Sequence, residues 1–106
     1  MSTSYRRYER LLPLKFNDGT AVPRDLVIDT ALELEERFGA VSTETQEIQG
    51  QWRSGGQRFS DQLVRLFVDV EDLVEHREFL LRLKEQLKVR FQQLEIWLTS
   101  YPIDVL

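Results

Sequence analysis

Apolar and polar residues along this chain alternate in some stretches with the two-residue period of a strand, and in others recur at the spacing of a helix face. Leu12, Leu14 and Phe16 fall on one side of an extended chain, with Leu11, Pro13 and Lys15 on the other, so residues 10–16 are expected to form a first strand. Pro13 has no amide hydrogen, so it calls for a bulge or for a place where pairing stops. Asn17-Asp18-Gly19 then supplies turn chemistry. Pro23 and Asp25 suit the first turn of a helix. Val27, Ala31, Leu34 and Phe38 make one apolar stripe along it, and Gly39 is a natural stop.

Residues 40–52 are polar and β-branched, with Ile48, Gly50 and Trp52 on one side, and read as a second strand. Ser54-Gly55-Gly56 is a hairpin turn. From Phe59 to Val70 the pattern is that of a central strand, with Val64, Leu66, Val68 and Val70 on one face and Leu63, Arg65, Phe67 and Asp69 on the other. Asp72 and Glu75 have the spacing of a capping box, and His76, Leu80, Leu83, Leu87 and Phe91 follow as a helical stripe reaching about Gln93. Leu94, Ile96 and Leu98 alternate with Glu95, Trp97 and Thr99 as a last strand, ahead of the Tyr101-Pro102 break.

Strand, helix, strand, strand, helix, strand is the order of a ferredoxin-like α+β sandwich. Two right-handed crossovers place the first and third strands at the centre of a four-stranded antiparallel sheet, with both helices on one face. Residues 10–106 are expected to form this single domain, and residues 1–9 a loose N-terminal segment. A chain of 106 residues, 42% of them hydrophobic, has enough apolar matter for one modest core.

Charge and composition remove several chemistries. The 14 Lys and Arg face 18 Asp and Glu, a net charge of −4, which argues against a phosphate-binding surface and hence against nucleic acid as a partner. There is no cysteine, and so no disulfide, thiolate nucleophile or Cys-ligated zinc. The polar, basic start MSTSYRRYER is no secretory signal, and no apolar run is long enough for a membrane span; a cytoplasmic protein without a membrane partner is expected.

No catalytic residue, cofactor site or metal site is assigned. Asp69, Glu71 and Asp72 are the densest carboxylates, but helix capping and junction roles account for them better than a metal, which would need a spaced ligand series. His76, the one histidine, has no nucleophile in a GxSxG-like setting to activate. Gly50, Gly55 and Gly56 match neither phosphate-loop pattern and read as turn glycines. Phe67 lies where RNA-binding sheets stack bases, but RLFVDVED puts acids where phosphate contacts would be needed.

The uncovered face of the sheet is what remains. With the valines turned to the helices, Leu63, Arg65 and Phe67 lie on the other side, joined by Trp97 from the last strand and by Trp52, or Gln51, from the second. Apolar patches of this kind mark an interface or a ligand groove. The first expectation is a non-catalytic interaction or regulatory module that self-associates through this face as a homo-oligomer, or pairs there with another protein. The alternative is a small-molecule binder or enzyme with a pocket between paired sheets, walled by Arg65, Trp97 and Trp52, Arg65 meeting an anionic group.

The stretches LPLKFNDGTAVP, ELEERFGAVSTETQEIQGQW, RLFVDVED and RFQQLEIWLTSYPI resemble small uncharacterised bacterial proteins that occur as stand-alone chains. The resemblance spans nearly the whole sequence and implies no activity, cofactor or catalytic residue. The expected fold is also similar to the dimeric α+β-barrel group and to regulatory small-molecule-binding domains, a likeness of fold that does not fix function.

Overall fold

A computed structural model describes residues 4–106. Six elements follow in the expected order: β1 (Tyr5–Pro13), α1 (Arg24–Phe38), β2 (Ser42–Ser54), β3 (Gln57–Glu71), α2 (Val74–Arg90) and β4 (Leu98–Ile103). They build one antiparallel sheet in the order β2-β3-β1-β4, the ferredoxin-like arrangement. No helix among the described residues is long and apolar enough to cross a membrane.

The first strand begins earlier than its apolar pattern suggests. Tyr5–Glu9, expected to be loose, forms half of the central strand, with Tyr5 opposite both Glu71 and Ile103; residues 1–3 of that expected segment lie outside the described residues. The inward positions here are Tyr8, Arg10 and Leu12, and an arginine at the middle one hides the alternation. After Pro13 the chain leaves the sheet, and Lys15 to Phe16 close a turn in which the amide of Phe16 meets the Thr20 carbonyl at 2.8 Å.

Pro13 fits because of where its amide would point. The Leu14 amide donates to Gln62 on β3, and the Leu11 amide donates to Trp97 on the β4 side. Odd positions of β1 therefore face β4, whose ladder ends at the pair of Arg10 with Leu98, and Pro13 lies past that end.

Gly39 ends α1 in the left-handed conformation, φ 83°, its amide bonded to the Glu35 carbonyl. Leu34 of the expected stripe is buried and Val27, Ala31 and Phe38 pack against the core, but Thr30 is buried as well, its hydroxyl donating to the Leu26 carbonyl. Gly55 and Gly56 both have positive φ, as a two-residue hairpin turn requires.

Three expectations need correction. Asp72 does not cap α2: Leu73 occupies that position without a side-chain bond, and Asp72 instead accepts from Arg6 at 3.3 Å. That helix ends at Arg90, three residues before Gln93. The last strand is Leu98–Ile103, so Leu94 and Glu95 lie in a loop and Tyr101-Pro102 lies inside the strand. Pro102 is tolerated because Arg6, its partner, turns its own amide to β3, which leaves the proline nitrogen facing away from the sheet.

The core lies between the helices and one sheet face: Leu12, Val64, Leu66, Val68 and Val70 meet Leu34, Leu80, Leu83, Leu87 and Phe91. The β2–β3 hairpin runs on past this core as an arm. From Ile48 to Leu63 no residue is buried, and the molecule measures 50 × 29 × 25 Å.

Candidate interaction surface

Strand register sets out the open face row by row. Trp97, Leu11, Arg65 and Glu44 form one row across the sheet, and Thr99, Glu9, Phe67 and Ser42 the next. Leu63, Arg65 and Phe67 thus lie together at the centre, with Trp97 at the β4 margin, one residue before that strand starts and 66% exposed. Trp52 is elsewhere. It sits opposite Phe59 on the arm, six residues along β3 from Arg65, a span of roughly 20 Å at the rise of a strand. A single chain does not bring Trp52 and Arg65 to one pocket wall.

Charges are matched across the centre of this face. Arg7 makes two bonds to Asp69, 2.7 and 2.9 Å, and lies 4.4 Å over the Phe67 ring. The Asp69 hydrogen bond holds the Arg7 proton more firmly than usual, against a smaller desolvation effect. Arg65 donates to Glu44 at 3.0 Å, while its Nε stands 3.6 Å from Glu9 and makes no hydrogen bond among the described residues. Tyr101 donates to Glu9 at 2.9 Å. Arg7, Glu9 and Tyr101 were not foreseen from the sequence. Their signal was present in YRRYER, where Tyr5, Arg7 and Glu9 alternate with Arg6, Tyr8 and Arg10, but the period is carried by polar residues.

On the arm, the Trp52 and Phe59 rings stack with centroids 4.3 Å apart, and the indole N–H donates to Asp61 at 2.8 Å. A cleft of about 660 Å³ opens between the arm and the turn after β1, lined among others by Lys15, Phe16, Asn17, Gln49, Gln51 and Gln62.

Two of the three clustered carboxylates are taken up by arginines, Asp69 by Arg7 and Asp72 by Arg6, while the backbone carbonyl of Glu71 lies 2.9 Å from His76 Nδ1. His76 packs edge-on against Phe38, centroids 5.3 Å apart, as a boundary residue between the helices.

One further group was not foreseen. Arg10 faces the core, 2% exposed, and neither terminal guanidinium nitrogen has a hydrogen-bond partner among the described residues. Burial lowers its pKa to about 10, partly offset by Glu33. Glu33 itself is bound by Arg90 at 2.8 Å, and Arg90 also donates to Thr30.

Comparison with solved structures places this architecture. A phage SAM lyase in complex with S-methyl-5′-thioadenosine superposes with a TM-score of 0.69 at 13% identity, over 99% of this chain and 92% of the lyase. The divalent cation tolerance protein CutA1 from Thermus thermophilus gives 0.64 at 16% identity, covering 95% and 85%, and CutA1 from Oryza sativa gives 0.61 at 14%, covering 98% and 84%. No protein-family model and no curated protein matches the sequence. At these identities the likeness is one of fold, and it defines the chain as a small ferredoxin-like α+β protein.

Proposed function

We propose that this protein is a non-catalytic interaction or regulatory module that self-associates as a homo-oligomer through the open face of its sheet. The observation that carries the reading is the uncovered surface: Trp97, half-buried Leu63, Leu11 and Phe67, and the arm's Trp52 and Phe59, have no layer of the described residues over them. A two-stranded ribbon is marginally stable alone in water, so an arm without a buried residue gains from a partner. The paired arginines suit the role, since burying a matched pair costs less than burying a free charge. The reading takes the protein as cytoplasmic, with another protein as the alternative occupant of the face and nucleic acid as none.

Size-exclusion chromatography with light scattering tests it. The wild type is expected at a multiple of 12.6 kDa at micromolar concentration, and Phe67→Glu with Trp97→Ala is expected to reduce that mass. A strictly monomeric wild type would sink the proposal.

The Nε–H of Arg65, 3.6 Å from Glu9 but without a hydrogen bond among the described residues, supports a second reading, a small-molecule binder with a pocket between paired sheets, Arg65 meeting an anionic group there and Trp97 and the partner arm's Trp52 closing the wall. The thionucleoside held by the phage lyase is a suitable first probe. A ligand-induced rise in Tm that is lost in Arg65→Met supports this reading; no shift at millimolar concentration removes it.

A further inference from the structure

The outer edge of β2 on the arm is self-complementary. Its amides can be placed from two observations. Gln62 gives its carbonyl to Leu14 on the β1 side, so its partner Gln49 turns its backbone N–H and C=O away from β3. From the other end, Ser54 and Gln57 close a two-residue turn as a hydrogen-bonded pair, and alternation back along the strand again leaves Arg53, Gln51 and Gln49 facing outward. Gln49, Gln51 and Arg53 are exposed, and nothing among the described residues pairs with this edge.

The seven residues from Glu47 to Arg53 read Glu-Ile-Gln-Gly-Gln-Trp-Arg. Laid antiparallel on a second copy with Gly50 opposite Gly50, Gln49 meets Gln51, Ile48 meets Trp52, and Glu47 meets Arg53. The parity is correct: the outward-facing Gln49 and Gln51 become two hydrogen-bonded pairs, giving about four backbone bonds at two per pair, with Glu47 and Arg53 meeting at either end. Ile48 and Trp52 become close non-hydrogen-bonded neighbours on the same face, an apolar cross-strand pair. Gly50 falls on the two-fold axis, where such pairs bring Cα atoms to about 4.5 Å.

The opposite edge of the sheet is built differently. β4 spans only Leu98–Ile103, and the outward nitrogen of Pro102 removes a donor, which blunts that edge. The irregular register between Glu44 and Ile48 interrupts β2 on the body side, and the regularly paired run from Ile48 to Arg53 makes up all of the self-complementary segment except Glu47.

We infer that two copies of this protein pair edge to edge through β2, antiparallel about Gly50, joining their arms into one four-stranded ribbon. This interface uses the strand edge, not the open face, and stands without the open-face reading.

Charge exchange tests it. Glu47→Arg and Arg53→Glu each place like charges opposite one another twice per dimer, and each is expected to weaken dimerisation about tenfold, while the double variant returns to the wild-type dissociation constant. Gln51→Pro removes an outward amide and leaves the ladder to β3 untouched, so it is expected to dissociate the pair without unfolding the arm. In hydrogen exchange, the amides of Gln49, Gln51 and Arg53 are slow in the dimer and fast in these variants. Gly50 is no test position, because an added Cβ would meet Leu63 Cδ1 at 3.2 Å within the same chain. Phe67→Glu leaves this equilibrium unchanged, so failure of the face and failure of the edge are read separately. Single variants that associate like the wild type, a double variant that fails to recover, or fast exchange at these three amides in the wild type overturns the inference.

Discussion

On the helix-covered face of the sheet Arg10 is 2% exposed and its terminal nitrogens have no partner among the described residues, whereas on the open face Arg7 makes two bonds to Asp69 and Arg65 one to Glu44. The three residues lie within a few positions of one another on β1 and β3, and chemistry does not distinguish them. Alternation does. A one-residue step along a strand exchanges a wet, carboxylate-rich surface for a dry core. There the same guanidinium loses its hydration, and among the described residues only Glu33 offsets the loss. Each face is thus stabilised by its own means, apolar packing on one and exposed charge matching on the other.

Three measurements bear on that contrast. The largest effect is expected from truncating the covered face: Leu66→Ala removes a fully buried side chain at the centre of β3 and is expected to cost about 3 kcal/mol in urea denaturation. Next comes Arg10→Met, which keeps the bulk and removes the buried charge, for an expected gain of about 1–3 kcal/mol. The pH dependence follows from the folded pKa of about 10 lying below that of an ordinary arginine. Between these values the unfolded chain binds more protons, so wild-type stability rises with pH. The advantage of Arg10→Met is therefore constant below pH 10 and shrinks above it. A destabilised Arg10→Met would mean that the arginine is satisfied in the core after all. The smallest effect belongs to the open face: Asp69→Asn breaks a bidentate but solvent-exposed pair and is expected to cost less than about 1 kcal/mol, and less still at high salt.

The order of elements was legible because each long element carries its period in apolar residues. Val64 to Val70 and Leu80 to Phe91 are the clearest cases, and both lie in the core where expected. The ends of the sheet were not. Tyr5–Glu9 carries tyrosine and charged residues on both faces, and Leu94 looks like a strand residue yet stands 96% exposed in a loop. Periodicity reports burial, so it fails where an inward position is polar or an apolar residue is solvent-facing. Leu63, Arg65 and Phe67 were placed on the correct face by alternation alone, because a strand has only two. Their distance from Trp52 was not readable, since it depends on how far the hairpin outruns the helices.

The amino-acid sequence by itself determines the strand and helix order, the two-sided character of β3 and the glycine turn that registers β2 on β3, because these rest on local geometry and on a period of two or of 3.6 residues. Only tertiary structure decides that YRRYER is a central strand, that Pro13 and Pro102 are harmless where they stand, and that burial dominates at Arg10 but the Asp69 hydrogen bond at Arg7. Those outcomes depend on which neighbour lies across the sheet and which layer lies above it, and both are set by chain segments distant in sequence.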